Sequence, residues 1–430
     1  MSLFKTPRPA TWQVCLACGN ELVETDPATR CACGGLLEVR HHVPQLGGQL
    51  LRAVFQTRCC TRPDTIASGV WRFREVVMPS ATDAELVSHP EGNTPLLHRA
   101  ALDRWSGLDR LLIKHEGHNP TGSFKDRGMT VGVTQAHRIG ARAVACASTG
   151  NTAASLAAYA AQAGIPALVL VPAGKTALGK LSQTLAYGAR TLEVRGDFDT
   201  CLRLLDSAGP DLGIYLLNSI NPYRIEGQKT IVFELLQQLG WEAPDWIVLP
   251  AGNLGNTSAF GKALAEARDW GLISRMPRLA AIQAAGAAPF ARGFRESFAH
   301  RHQVQAETIA TAIRIGDPAS WDRAVHAIRE TDGVVAEVTD DEILDAKAAV
   351  DATGVGCEPA SAASLAGVRQ LVRDGTIAPG QTVVAVLTGH VLKDPEILMR
   401  MHQEMSPPPA WANRPRPIEP TVEAVAAAMA

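Results

Sequence analysis

A lysine that could act as a nucleophile lies in a loop rich in turn-forming residues. Lys125 belongs to the stretch HEGHNPTGSFKDRG at positions 115–128, which follows a short apolar run at 111–113. A lysine that is held at a strand-to-helix loop and shielded from water has a lowered pKa and can attack a carbonyl carbon. The pattern therefore predicts Schiff-base chemistry at Lys125, with a solvated loop lysine as the alternative.

Three further loops carry glycine, asparagine and hydroxyl residues where a strand should end. The loop at 148–152 reads STGNT, the loop at 252–256 reads GNLGN, and Thr388 follows an apolar run at 382–387. Backbone N–H groups at the start of a helix bind anions, and glycines let the backbone close around a phosphate. Each loop taken singly is also typical of an ordinary strand end.

The elements around these loops alternate between short apolar runs and helical patterns, as at 143–147 followed by 153–163. Such alternation predicts parallel sheets covered by helices on both faces, the α/β class. We expect two open parallel-sheet domains and a small Cys-rich piece. The predicted limits are a Cys-rich segment at 1–45, a large domain at 46–128 and 223–405, a small α/β domain inserted at 129–222, and a proline-rich tail with a short helix at 406–430.

The first segment contains four cysteines with the outline of two metal-binding knuckles. They are Cys15 and Cys18, separated by two residues, and Cys31 and Cys33, separated by one. Four thiolates in two such pairs could share one tetrahedral zinc ion, although a standard ribbon has two residues between the second pair. The alternative is a metal-free remnant that keeps its fold by packing.

Composition limits the partners and the compartment. Lysines and arginines number 41 against 43 aspartates and glutamates, for a net charge of -2. This balance argues against nucleic acid or an anionic membrane as a partner. The first residues lack the apolar stretch of a secretion signal, and the nine cysteines suit a reducing compartment. We therefore expect a cytoplasmic protein.

Several stretches together resemble the fold type II pyridoxal-phosphate enzymes, whose domains are similar to those of the tryptophan synthase β chain. Within them the chain looks like the threonine synthase family in its longer form with a zinc-ribbon-like N-terminus. The resemblance covers residues 10–405. The matching stretches are GNTPL at 92–96, NPTGSFKDRG at 119–128, ASTGNTAAS at 147–155, NSINPYRIEGQKT at 218–230, PAGNLGN at 250–256, CEPASAAS at 357–364 and LTGHVLKD at 387–394.

The resemblance implies a role for individual residues. Lys125 would hold pyridoxal 5'-phosphate covalently, Asn151 would bond the 3-oxygen of the ring, and Thr388 would bond the ring nitrogen. The cofactor's phosphate would lie against Gly252, Asn253, Leu254, Gly255 and Asn256. The substrate carboxylate would be held by Ser148, Thr149 and Thr152, and the substrate phosphate by Asn218, Ser219, Arg224 and Lys229. An interdomain ion pair is the alternative role for Arg224.

The resemblance also implies an activity, the conversion of O-phospho-L-homoserine and water into L-threonine and phosphate by a homodimeric lyase. One alternative is another enzyme of the same fold, such as a cysteate synthase acting on O-phosphoserine and sulfite or an ammonia-lyase. Another is a non-catalytic metabolite sensor that kept the fold. The presence of Lys125, Asn151 and Thr388 favours an enzyme, because a sensor need not retain the amine.

Overall fold

The described residues form three separate sheets, of which the two larger ones are covered by helices. The computed structural model describes residues 10–42, 44, 46–59, 65–174, 178–407 and 409–429. The strands are β1 Thr11–Cys15, β2 Glu21–Val23, β3 Leu37–His41, β4 Leu96–His98, β5 Leu111–His115, β6 Ala143–Ala147, β7 Ala167–Pro172, β8 Arg190–Val194, β9 Ile214–Leu216, β10 Trp246–Pro250, β11 Arg278–Ala284, β12 Val334–Val338 and β13 Val383–Leu387.

Helices connect most of these strands. They are α1 Gly48–Cys59, α2 Arg74–Val77, α3 Ala100–Ser106, α4 Lys125–Arg138, α5 Asn151–Ala163, α6 Leu178–Ala186, α7 Phe198–Leu212, α8 Pro222–Gln228, α9 Thr230–Gln238, α10 Gly255–Asp269, α11 Pro289–Arg295, α12 Trp321–Glu330, α13 Asp340–Asp351, α14 Pro359–Arg373, α15 Pro395–Met399 and α16 Val422–Met429. None of the helices in the described ranges is long and apolar enough to cross a membrane.

The largest sheet has six strands in the order β12-β11-β10-β13-β5-β4. All of them run parallel except the edge strand β4, which is antiparallel to β5. The central strands β10 and β13 read WIVLP and VVAVL, and every residue in them is buried. Continuous apolar runs of this kind form strands that are covered on both faces. The predicted α/β class is confirmed.

The second parallel sheet has four strands in the order β8-β7-β6-β9. Its strands lie between β5 and β10 in the chain, so this sheet is inserted into the larger one. The predicted limits of the insertion, 128/129 and 222/223, fall inside α4 and after the first residue of α8. The two sheets are therefore joined by continuous helices, not by linkers.

The Cys-rich segment folds as a three-stranded antiparallel sheet in the order β2-β1-β3. His41 at the end of β3 contacts Glu226 on α8, with 2.8 Å between Nε2 and Oε2. Lys262 on α10 donates to the carbonyl oxygen of Val39 in β3. These contacts fix the small sheet against the two helices.

The residues from Asp394 onward form a second compact unit, separate from the one that ends at Lys393. It contains α15, a π-helical turn at Arg400–Glu404 and the alanine-rich α16. The last helix is the short one expected in the tail. Residues 394–405, which were expected in the large domain, belong to this unit instead.

Candidate active site

The lysine loop is joined to the end of β13 by backbone hydrogen bonds. The N–H of Phe124 donates to the carbonyl oxygen of Thr388 at 3.0 Å, and the N–H of His390 donates to that of Gly122 at 2.9 Å. Because β5 and β13 are neighbours in the sheet, both loops leave from the same edge. Lys125 therefore lies beside Thr388.

The amine of Lys125 is unusually acidic for a lysine. Burial lowers its pKa to about 7, helped by repulsion from the Arg224 guanidinium and opposed by the Glu358 carboxylate. Nζ lies 4.0 Å from the centroid of the Phe124 ring. No hydrogen bond or ion pair holds this amine within the described part of the chain. A substantial neutral fraction at pH 7 makes it a nucleophile and a proton acceptor.

The Glu358 carboxylate gathers two of the predicted side chains. Asn151 Nδ2 donates to Glu358 Oε2 at 3.0 Å, and Thr388 Oγ1 lies 3.4 Å from Oε1. A Cβ on Gly389 would lie 2.4 Å from the carboxyl carbon of Glu358, so a larger residue there would displace this carboxylate. The structure thus brings Asn151, Thr388 and Lys125 to one site.

Ser361 fixes the end of β13. Its Oγ accepts the N–H groups of Thr388 and Gly389, each at 2.9 Å, and lies 3.0 Å from Thr388 Oγ1. Sequence reasoning quoted the stretch that contains Glu358 and Ser361 but assigned neither of them a role. The sequence signal that could have identified both residues is their position in the stretch CEPASAAS, which matches the family as a whole.

Close packing of α4 against α8 places Arg224 near Lys125. A Cβ on Gly227 would lie 1.8 Å from the Arg127 carbonyl oxygen, and one on Gly128 would lie 3.1 Å from the Arg224 carbonyl oxygen. Since larger side chains would push the helices apart, glycine on both helices is what permits the approach. The side chain of Arg224 is consequently buried between them, 1% exposed.

The Arg224 guanidinium is short of partners. Nη1 donates to the carbonyl oxygen of Leu217 at 3.1 Å, whereas Nε and Nη2 are buried without a hydrogen-bond partner. Burial lowers its pKa to about 10, so it remains charged at pH 7. No carboxylate in the described ranges forms an ion pair with it, so the alternative of an interdomain ion pair is not observed. A buried cation with two free donors suits an anionic ligand.

The N-terminus of α10 forms a second anion-binding feature. Leu254, which precedes the helix, has a left-handed φ of 62°, and the first turn of a helix leaves its N–H groups unpaired. A Cβ on Gly252 would lie 2.8 Å from Ile313 Cα, so the loop passes where only glycine fits. The hydroxyl of Thr257 is buried without a partner in this first turn. Sequence reasoning stopped at Asn256 and missed Thr257.

Two side chains of that loop have contacts within the protein. Asn253 Oδ1 accepts the N–H of Ala319 at 2.7 Å. The side chain of Leu254 is buried in the apolar core. Asn256 Oδ1 is buried without a partner, as expected of a residue that faces a ligand.

The hydroxyl loop of the small sheet lies at the start of α5. Ser148 Oγ accepts the N–H of Gly150 at 3.2 Å, and Thr149, Thr152 and Ser219 are partly exposed. Asn218 differs from them, because both ends of its amide pair with the backbone of Ala147 at 3.2 and 3.1 Å. Asn218 therefore joins two strand ends and has fewer groups to offer a ligand than was predicted.

The structure does not place the amine of Lys229 in the same site as the Arg224 guanidinium. Its amine is fully buried and lies 2.5 Å from Glu226 Oε2 and 2.7 Å from Glu266 Oε2, in a cluster that faces the Cys-rich sheet. Two residues five positions apart on a helix point about 140° apart. The prediction that Lys229 binds the substrate phosphate is therefore corrected.

Comparison with known proteins identifies the family. Residues 87–389 match the model for pyridoxal-phosphate dependent enzymes. The chain belongs to this family.

Among the members of the family, the threonine synthase of Methanocaldococcus jannaschii is 43% identical over 91% of this chain and 95% of its own length. The threonine synthase of Mycobacterium tuberculosis is 49% identical over 77% of this chain and 90% of its own. The crystal structure of threonine synthase from Escherichia coli has a TM-score of 0.70 and covers 93% of each chain at 19% identity, which shows a shared fold.

The observed site fits the family's cofactor. An aldehyde needs a neutral amine, and the lowered pKa of Lys125 provides one. A phosphate needs donors, and the N-terminus of α10 offers backbone N–H groups together with the unpartnered Thr257 hydroxyl. The residues present are therefore those that pyridoxal phosphate requires.

The four cysteines predicted to bind metal lie together, within 4.8 Å of one another. The Sγ atoms of Cys15 and Cys33 are 3.5 Å apart, and those of Cys18 and Cys31 are 3.7 Å apart. A tetrahedral zinc ion with Zn–S bonds of about 2.3 Å requires S–S separations of about 3.8 Å. Although only one residue separates Cys31 from Cys33, the four sulfurs still lie close enough together to share one ion.

Proposed function

We propose that this protein acts as a threonine synthase, converting O-phospho-L-homoserine and water into L-threonine and phosphate. The observation that carries the proposal is the Arg224 guanidinium, which is buried beside Lys125 with two N–H donors unused. Relatives named threonine synthase match more than nine-tenths of the chain. A buried arginine fork next to the reactive amine provides for a phosphate on the substrate itself.

The cofactor would be held by Lys125 through Nζ and by the N-terminus of α10 through its phosphate. Asn151 would lie at its 3-oxygen and Thr388, positioned by Ser361, at its ring nitrogen. A neutral hydroxyl at the nitrogen does not keep it protonated. When bound, pyridoxal phosphate supplies an electron-withdrawing ring that stabilises negative charge on the carbon skeleton of the amino acid.

The chain's own residues would carry the protons and the leaving group. Lys125, neutral in part at pH 7, would accept the proton of the substrate α carbon, release it, and then accept one from the β carbon. After phosphate has left, Lys125 would return a proton at the γ carbon, and water would add at the β carbon. Arg224 holds the substrate phosphate while charge grows on its oxygens as the bond to the γ carbon breaks. Ser148, Thr149 and Thr152, at the start of α5, hold the substrate carboxylate.

Product analysis tests the proposal. The purified protein loaded with pyridoxal phosphate is incubated with O-phospho-L-homoserine, and phosphate and L-threonine are measured. We expect the two products in equal amounts. Parallel incubations contain O-phosphoserine with sulfite, or L-threonine alone. Cysteate in the first or ammonia in the second, without L-threonine from O-phospho-L-homoserine, would assign the protein to a cysteate synthase or an ammonia-lyase instead.

Covalent capture of the cofactor by the apoprotein should depend on pH. Only the neutral amine of Lys125 attacks the aldehyde, and its pKa is about 7. The rate should therefore rise about tenfold per pH unit below pH 7 and level off above it. Stopped-flow absorbance from pH 5.5 to 9 measures the midpoint.

The control for this midpoint is Arg224→Gln. Removal of the neighbouring positive charge favours the ammonium form of Lys125, so the midpoint should move to higher pH. A midpoint that stays in place would show that Arg224 does not set the pKa of the amine.

We also propose that the four-cysteine cluster holds one zinc ion that stabilises the fold and takes no part in the reaction. No cysteine of the cluster contacts the residues gathered around Lys125 in the described ranges. Cys15→Ser combined with Cys31→Ser should abolish bound zinc and lower the melting temperature, yet leave turnover largely intact. Metal analysis, calorimetry and the product assay measure the three quantities.

Cys59→Ser is the matched control for the zinc proposal, because Cys59 is exposed at the end of α1 and lies outside the cluster. It should retain both zinc and stability. A doubly substituted protein that remained folded with its cofactor and yet lost all turnover would contradict the separation of roles.

A homodimer in the cytoplasm completes the proposed function. The dimer follows from the resemblance to the threonine synthases, and the compartment follows from thiols left unpaired at the described cysteines. Light scattering should give twice the chain mass of 45.7 kDa. A monomer at working concentration would refute the dimer.

A further inference from the structure

A cavity separate from the lysine site lies beneath the Cys-rich sheet. It measures about 640 Å³ and is bounded by β3, α8, α10 and α12. Its apolar surface comes from side chains that include Trp12, Leu37, Ile225, Ala265 and Trp270. Ligand pockets in proteins range from about 300 to 1,000 Å³, so a small molecule fits here.

Arg323 on α12 lines this cavity with donors that lack partners. Its side chain is 8% exposed. Nη2 donates to the carbonyl oxygen of Leu37, whereas Nε and Nη1 are buried without a hydrogen-bond partner. Across the described ranges no carboxylate lies within the 4.0 Å ion-pair distance of its guanidinium. Burial lowers its pKa to about 10, so it is charged at pH 7.

The other buried charges beside the cavity are already satisfied. Lys262 contacts Glu226 and Glu266, and Lys229 contacts the same two carboxylates. The charges of these two lysines and two glutamates are therefore neutralised by one another within the protein. Arg323 has no comparable compensation, and leaving such a group unpaired is costly unless a ligand completes it.

The charge of the cavity wall restricts the ligand. Six carboxyl side chains line the cavity against three lysines and arginines. A multiply charged anion such as phosphate would be repelled by this surplus of carboxylates, whereas a single carboxylate carries one negative charge and can accept a free N–H of Arg323. A positive group on the same ligand would be attracted by the surrounding acids, and an apolar side chain would contact Trp12 and Trp270.

We propose that this cavity binds a free α-amino acid with an apolar side chain, its carboxylate on Arg323 and its ammonium group toward the acidic wall. The ligand would contact α8 through Ile225 and Glu226, the two residues that follow Arg224. The helix α8 therefore contributes residues both to this cavity and to the lysine site. The site goes beyond the proposed function, since no step of the reaction uses it.

Calorimetric titration of the full-length holoprotein tests the proposal. Borohydride first fixes the cofactor to Lys125, so that the amino group of a probe cannot react there. The probes are L-leucine and L-phenylalanine, with 3-methylbutylamine and 4-methylpentanoate as halves of leucine and with inorganic phosphate. We expect an amino acid to bind at least tenfold more tightly than either half or phosphate.

No binding of either amino acid, or equal binding of phosphate or 4-methylpentanoate, would overturn the proposal. The titration does not depend on turnover, so its result is separate from that of the product assay. A failed product assay with intact amino-acid binding would refute only the proposed function.

Substitutions locate the binding site. Arg323→Gln can still donate to Leu37 but lacks the charge, and it should weaken amino-acid binding at least tenfold. Arg329→Gln is the matched control, because Arg329 lies on the same helix but is exposed, and it should bind like the unsubstituted protein. Ala265→Leu fills the cavity without changing charge and should also block binding. Unchanged affinity in a folded Arg323→Gln or Ala265→Leu protein would overturn the assignment.

Discussion

Lys125→Ala should lower turnover of O-phospho-L-homoserine by about 10⁴-fold, because the chain loses both its covalent link to the cofactor and its proton acceptor. The amine of Lys125 is suited to both tasks by a pKa of about 7. Steady-state kinetics measures the loss. Mass spectrometry after borohydride reduction should find the pyridoxyl group on Lys125 in the unsubstituted protein and on no lysine in the variant.

Lys393→Ala is the matched control for this prediction. The amine of Lys393 donates to the carbonyl oxygen of Thr121 at 3.0 Å, so it lies beside the same loop. The control should keep the cofactor on Lys125. A pyridoxyl group found on Lys393 or another lysine of the unsubstituted protein would show that Lys125 is not the attachment site.

Arg224→Lys should lower kcat/KM for O-phospho-L-homoserine. The fall should correspond to a loss of about 2 to 4 kcal/mol of transition-state stabilisation. The lysine keeps a positive charge, but it cannot present two parallel N–H groups to a phosphate. Cofactor binding should be unchanged. Binding of L-2-aminobutyrate, which carries no phosphate, should also persist and can be followed by absorbance.

The comparison of these two ligands separates a phosphate site from a structural role. A purely structural arginine would affect both ligands equally and would lower the melting temperature of Arg224→Lys. That combination would contradict the assignment of Arg224 to the substrate phosphate.

The fold was predictable where burial is uniform along an element. The strand β13 is apolar throughout, and its limits agree with the predicted run at 382–387 to within a residue. β12 was not predicted, because it is a half-exposed edge strand whose VVAEV contains a glutamate. The helix α14 was missed as well, since its PASAASLAG start is rich in small residues that pack closely rather than form an apolar stripe.

The candidate site was predictable as a set of loops but not as a set of contacts. Lys125, Asn151 and Thr388 come together because parallel strands end at the same edge of a sheet. Arg224 and Lys229, five positions apart, separate because Arg224 on α8 and Lys229 just after it point to different sides of the helical chain. The position of Asn218 in its motif could not reveal that its side-chain amide is hydrogen-bonded to the backbone of Ala147, because the two residues are 71 positions apart in the chain.

The central place of β13 in the large sheet has a consequence for how the protein is made. This strand separates β10 from β5 and pairs with both, yet it leaves the ribosome after almost every other element. Until it emerges, the nascent chain carries two unpaired strand edges, which are prone to aggregate. Until then the lysine loop also lacks its backbone hydrogen bond to Thr388. Pyridoxal phosphate can therefore be captured in its final geometry only after synthesis is nearly complete, and a chain truncated before residue 383 would expose both edges permanently.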